Sequence, residues 1–135
     1  MGRKAAREAL FKLVYEYTVR REEDDFTRAL LSSPFSEEDA DYIAKAYKGI
    51  LSVADELIGT ISGYSHGFAA DRIYKIDLAI LMVAIYEIRY MDDIPDSVSA
   101  NEAVELAKKY STDKSCSFVN GILASVIKEK KNSEC

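Results

Sequence analysis

An all-helical single domain is the fold class that this sequence predicts, and three observations predict it. Apolar residues recur mostly at spacings of three and four, without sustained strand-like alternation. Only two prolines and six glycines interrupt the 135 residues. One segment, Asp71 to Met91, is apolar nearly all round. There Ile73, Ile76, Ile80, Val83, Ala84 and Ile88 mark one helical stripe, and Leu78, Leu81 and Ile85 fill the other flank. A helix with no solvent face in its middle belongs at the centre of a core. Asp77 and Glu87 break the run well short of the about 18 to 20 apolar residues of a membrane span. The segment therefore reads as the buried helix of a soluble protein, with no membrane role, and the length suits one domain over 1–135.

The other elements follow in order. The first helix should run from Arg3 to about Arg21, with Ala6, Leu10, Leu13, Val14 and Tyr17 as its inner stripe. Arg3, Lys4 and Arg7 gather on its first turns, where each cation opposes the helix dipole by about 0.3–1 kcal/mol. Helix stability does not explain them, and a solvated end and a binding patch both stay open. Acidic residues 22–25 stand where a short second helix, 24–31, would start, and Ser32 to Phe35 form a turn. Ser36 is an N-cap ahead of Glu37, Glu38 and Asp39, opening a third helix that ends near Gly63. A Gly/Ser-rich connector and a helical turn at 68–72 lead to the central helix. Ser99-Ala-Asn-Glu102 reads as a capping box for the next helix. Thr112 is the N-cap of the last, Asp113 to about Glu129, and the polar tail from about 130 should fray.

Catalytic constellations fail in turn. The sequence holds no Gly-rich phosphate loop, no nucleophile elbow and no acid–base pair around its one histidine, His66. Cys116 and Cys135 offer neither a disulfide framework nor zinc-ligand spacing. No enzyme, metal or cofactor is expected, and without a signal-like N-terminus the cytoplasm is the expected compartment. Charge is uneven: residues 1–21 carry +4 and the remainder −9, within a net charge of −5. A basic end on an acidic body suits a polyanionic partner.

Lys114-Ser-Cys-Ser-Phe-Val-Asn-Gly121 is the unusual stretch. Glycine inside a helix costs roughly 1 kcal/mol relative to alanine, and close helix–helix approach is the structural reason for tolerating it. Lys114, Ser115 and Ser117 could donate to phosphate or base edges. Phe118 either packs in the core or stacks on an unpaired base.

Five segments occur in the order and spacing of a known family: Asp77-Leu-Ala-Ile-Leu, Ala84-Ile-Tyr-Glu-Ile88, Ile94-Pro95, Asn101-Glu-Ala-Val-Glu-Leu-Ala-Lys108 and Phe118-Val-Asn-Gly-Ile-Leu123. With Arg7-Glu8 and Tyr15, the chain closely resembles the NusB family of bacterial transcription antitermination factors. Residues 22–70 match in helical pattern and length alone. The resemblance implies about seven helices in two perpendicular helical subdomains. It further implies pairing with the ribosomal small-subunit protein NusE. The pair would bind the single-stranded boxA element of ribosomal RNA transcripts and help elongating RNA polymerase, contacted indirectly, resist termination.

Carried over by position, the RNA surface would use Arg3, Lys4 and Arg7, with Tyr15 on the same helix. Tyr74 and Asp77 before the central helix, and Lys114, Ser115, Phe118 and Asn120 at the last helix, would complete it. The N-terminus is poorer in arginine than the family commonly is, and Met82 stands where arginine is common, so Met82 is left out. A protein–protein adaptor without RNA readout and an accessory role in RNA modification remain alternatives, and self-association as a homodimer stays open. On this reading Arg7→Glu leaves the fold intact, whereas Gly121→Leu disturbs helix packing.

Overall fold

Helix α4, Lys75–Tyr90, touches each of five other helices: α1 (Arg3–Arg20), α2 (Glu37–Ser52), α3 (Ala54–Tyr64), α5 (Asp96–Tyr110) and α6 (Asp113–Glu134). A computed structural model describes residues 2–20, 22, 29, 34–65 and 72–134, and these contain no strand. The expected short helix at 24–31 and the turn at 68–72 fall almost wholly outside the described residues. Every residue from Asp77 to Ile85 is buried, as an all-round apolar helix requires. Each fully buried Leu or Ile there is worth about 1.5–3 kcal/mol. Around this axis α1 packs against α4 and α2, while α5 and α6 pack on each other and on α4.

Local sequence sets most boundaries. Ser36 caps α2 as expected, its Oγ accepting from the Asp39 N–H at 3.2 Å. Thr112 does the same for α6, accepting from the Ser115 N–H at 3.1 Å. Other expectations need correction. The single helix expected from Ser36 to Gly63 is two, broken at Val53, whose φ and ψ are −122° and 22°. The apolar stripe of Ile50, Leu57 and Ile61 stays buried across the break, so its periodicity conceals it. The central helix starts at Lys75, not Asp71. The tail does not fray at 130, since α6 continues to Glu134. Lys130 holds it down by donating to the Ile88 carbonyl at 2.8 Å and to Asp96 Oδ1 at 2.9 Å.

Ser99 is no cap. Helix α5 begins three residues earlier, with Pro95 as its N-cap residue, and the buried Ser99 hydroxyl donates to Glu87 Oε1 at 2.8 Å. Glu87 is fully buried and also accepts from Arg7 Nε at 2.8 Å and from the Tyr42 phenol. One carboxylate on α4 thereby gathers donors from α1, α2 and α5. Burial, and then the Glu87 charge, push the Tyr42 phenol far above its ordinary range.

Arg7 is thus corrected from an exposed residue to a buried one, 5% accessible. Its place beside the inner stripe residues Ala6 and Leu10 turns it inward, toward a partner 80 residues away.

The glycine reading is also overturned. A Cβ on Gly121 would meet nothing within 4 Å, so no close approach explains that glycine. The close approach is at Gly49, where a Cβ would overlap the phenol ring of Tyr86. A side chain at that position would have to push the Tyr86 ring of α4 aside.

Three variants test this packing. In urea unfolding, Arg7→Ala should cost about 3–5 kcal/mol, because it strands a buried carboxylate. Gly121→Ala should stabilise by up to about 1 kcal/mol through helix propensity. Gly49→Ala should instead destabilise by about 1–3 kcal/mol by overpacking against Tyr86. Equal midpoints for the two alanine variants would remove this account of the glycines.

Candidate nucleic-acid interface

Two recesses lie on either side of the α5–α6 connection. The first is a hollow of about 560 Å³ between the start of α4 and the start of α6. Ile73 and the half-buried Phe118 supply its apolar surface, and Tyr74 stands at its edge, 65% exposed. Arg72 and Lys114, both exposed, line it as well. This arrangement offers aromatic faces for a flat apolar group and cations for an anion attached to it.

The hollow is held open from behind. The Asp77 carboxylate, 3% exposed, accepts from Ser111 Oγ at 2.8 Å and from Ser115 Oγ at 2.7 Å. This clamp fixes the first turn of α4 against the first turn of α6, and with it the positions of Tyr74 and Phe118. Asp77 and the buried Ser115 are therefore supports, with their polar atoms committed to each other.

The second recess is a groove between α1 and α5, with Lys4, Glu8, Glu102, Glu105, Lys108 and Lys109 around it and Arg7 at its side. The Glu8 carboxylate accepts from Lys109 Nζ at 2.8 Å and from the Tyr110 phenol. Those two hydrogen bonds, Lys109 first, hold Glu8 below its ordinary value, and the Glu8 bond raises Lys109. Lys109 and Lys12 place their ammonium groups 5.4 and 5.9 Å from the Tyr110 ring centroid, the distance range of cation–π contact.

The residues singled out from the sequence are thereby divided. Tyr74, Lys114, Ser115 and Phe118 come together in the hollow, and Lys4 and Arg7 in the groove. Arg3 lies at the α1–α2 contact instead, donating to Asp39 Oδ1 at 3.0 Å with its guanidinium 4.3 Å from the Tyr42 ring centroid. Tyr15, 38% exposed, and the exposed Asn120 line neither recess. Asn120 follows Phe118 by two residues, a spacing that turns side chains to different helix faces. The site residues chosen from the sequence did not include Arg72, Thr112, Lys108 and Lys109. Their placement depends on how α5 and α6 dock, and only the cationic Lys108-Lys109 pair could have drawn notice in advance. Among the described residues, no group of three or more His, Cys, Asp or Glu is placed to hold a metal ion. No helix among them is long and apolar enough to cross a membrane.

The model of the NusB family matches residues 4–128. The chain belongs to the NusB family. It is 46% identical over 132 residues to the transcription antitermination protein NusB of Acetivibrio thermocellus, covering 96% of this chain and 91% of that protein. It is 44% identical over 130 residues to the protein of the same name from Ruminiclostridium cellulolyticum, covering 95% and 90%. Among solved structures, T. maritima NusB aligns with a TM-score of 0.87 at 30% identity, over 100% of this chain and 99% of that one. A structure of the antitermination factors NusB and NusE in complex with dsRNA aligns at TM-score 0.84 over 94% and 96% of the two chains. At 22% identity, that likeness speaks for the fold alone. The all-helical expectation is met by the six helices described, and the family expectation by the matches.

Proposed function

We propose that this protein is a transcription antitermination factor that binds single-stranded boxA-type RNA of ribosomal RNA transcripts. In this reading it acts together with a NusE-type ribosomal protein and helps elongating RNA polymerase resist termination. It catalyses no reaction and works in the cytoplasm as an adaptor. The observation that carries the RNA reading is the hollow, which the exposed Tyr74 lines together with Phe118 and the cations Arg72 and Lys114. Single-stranded RNA is held by splayed bases stacked on aromatic side chains and phosphates met by cations, and hydrogen bonds to base edges add selectivity. The acidic remainder of the chain suits this division, because only the RNA-facing side needs positive charge.

Stacking contributes about 1–3 kcal/mol per base, or roughly 5- to 150-fold in affinity. Fluorescence anisotropy with a short boxA RNA, with and without the NusE-type partner, should therefore show selective binding over a scrambled RNA. Tyr74→Ala should lose at least fivefold in affinity at an unchanged melting temperature. Equal affinity for the two RNAs, with the partner present and the protein folded, would overturn the reading in favour of a protein–protein adaptor.

A further inference from the structure

We infer that the groove between α1 and α5 is a phosphate site, and that the Glu8 carboxylate stands where a phosphodiester group of bound single-stranded RNA goes. The inference rests on the RNA-binding reading and adds residues to it. Glu8 is drawn to Lys109 Nζ, 2.8 Å away, and to the Tyr110 phenol. Those donors converge on one position and suit any singly charged oxyanion. Lys12 approaches the same Tyr110 ring from α1, so a second cation lies beside that position.

The lysine is the exchangeable partner. Its side chain is 60% exposed, against 21% for Glu8, so water weakens the ion pair from the Lys109 side. Along the groove, Lys108 is tied to Glu105 at 3.4 Å, with both side chains more than half exposed. Lys4 is exposed at the same groove and forms no ion pair among those found in the described residues. Incoming phosphate would exchange carboxylate partners for a stronger polyanion at little structural cost.

Continuity decides in favour of RNA over an isolated anion. Tyr110 ends α5, and two residues later Thr112 lines the hollow that holds Tyr74 and Phe118. Phe11 of α1 braces the Tyr110 ring, with centroids 5.3 Å apart. A strand whose base stacks in the hollow would thus lead its backbone past Tyr110, with Lys12 near that ring, into the groove lined by Lys109.

The test compares wild type, Lys12→Gln/Lys109→Gln and Glu8→Gln by anisotropy on boxA-type RNA across a salt series, after circular dichroism confirms folding. Two lost phosphate contacts should make the salt slope shallower by about 1.4, a gap of roughly 25-fold at 0.1 M salt that closes near 1 M. Removing the competing carboxylate in Glu8→Gln should tighten binding about two- to fivefold. An unchanged slope in the double variant, or weaker binding by Glu8→Gln, would overturn the inference. Wild-type RNA selectivity in that outcome would leave the proposed function standing. Absence of selective wild-type binding would end both.

Discussion

The fold turns on one buried carboxylate. Glu87 accepts hydrogen bonds from Arg7, Tyr42 and Ser99, which arrive from three separate helices. A buried ion pair gains little net stability over an apolar packing of the same shape, but removing one partner costs several kcal/mol. Its consequence here is geometric. Helix α1 can rotate or slide only by breaking the Arg7 bond, and α2 and α5 are held by the same acceptor. Lys4 and Lys12 stay exposed on α1, with the half-buried Glu8 one turn from each.

Asp77 does the same work at the other end of α4. Ten residues before Glu87, it ties Ser111 and Ser115 to the first turn of the central helix. The two acidic residues that interrupt an otherwise apolar run are therefore its two polar anchors. One supports the groove between α1 and α5, and the other supports the hollow beside Phe118. Their burial keeps both carboxylates away from a polyanionic ligand, while the cations that would meet RNA remain on the surface. Helix α4 thus organises the binding face without contributing its own middle to it.

Features that depend on near neighbours were legible in the sequence. The buried α4 follows from apolar spacing, and the caps at Ser36 and Thr112 follow from hydroxyls placed before acidic first turns. The family followed from motifs such as Phe118-Val-Asn-Gly. What escaped depends on distant partners. Arg7 looks like one more cation in a basic run until Glu87 is brought to it. Ser99 fits a capping box, yet its hydroxyl serves the same carboxylate. Gly121 and Gly49 are indistinguishable by composition, and only the position of Tyr86 tells which one a side chain would disrupt. The break at Val53 has no glycine or proline to mark it. Within the candidate site, Tyr74, Lys114 and Phe118 were found together, whereas Lys109 required the docking of α5 on α1.

Arg7 is a strut, and the exposed lysines are the residues proposed to meet RNA. The most direct measurement is the salt dependence of RNA binding by the double variant Arg7→Met/Glu87→Leu, which exchanges the buried pair for apolar side chains. With folding confirmed, the slope should match that of wild type. A slope shallower by about 0.7, the loss of one phosphate contact on a single strand, would show Arg7 on the RNA and contradict the account.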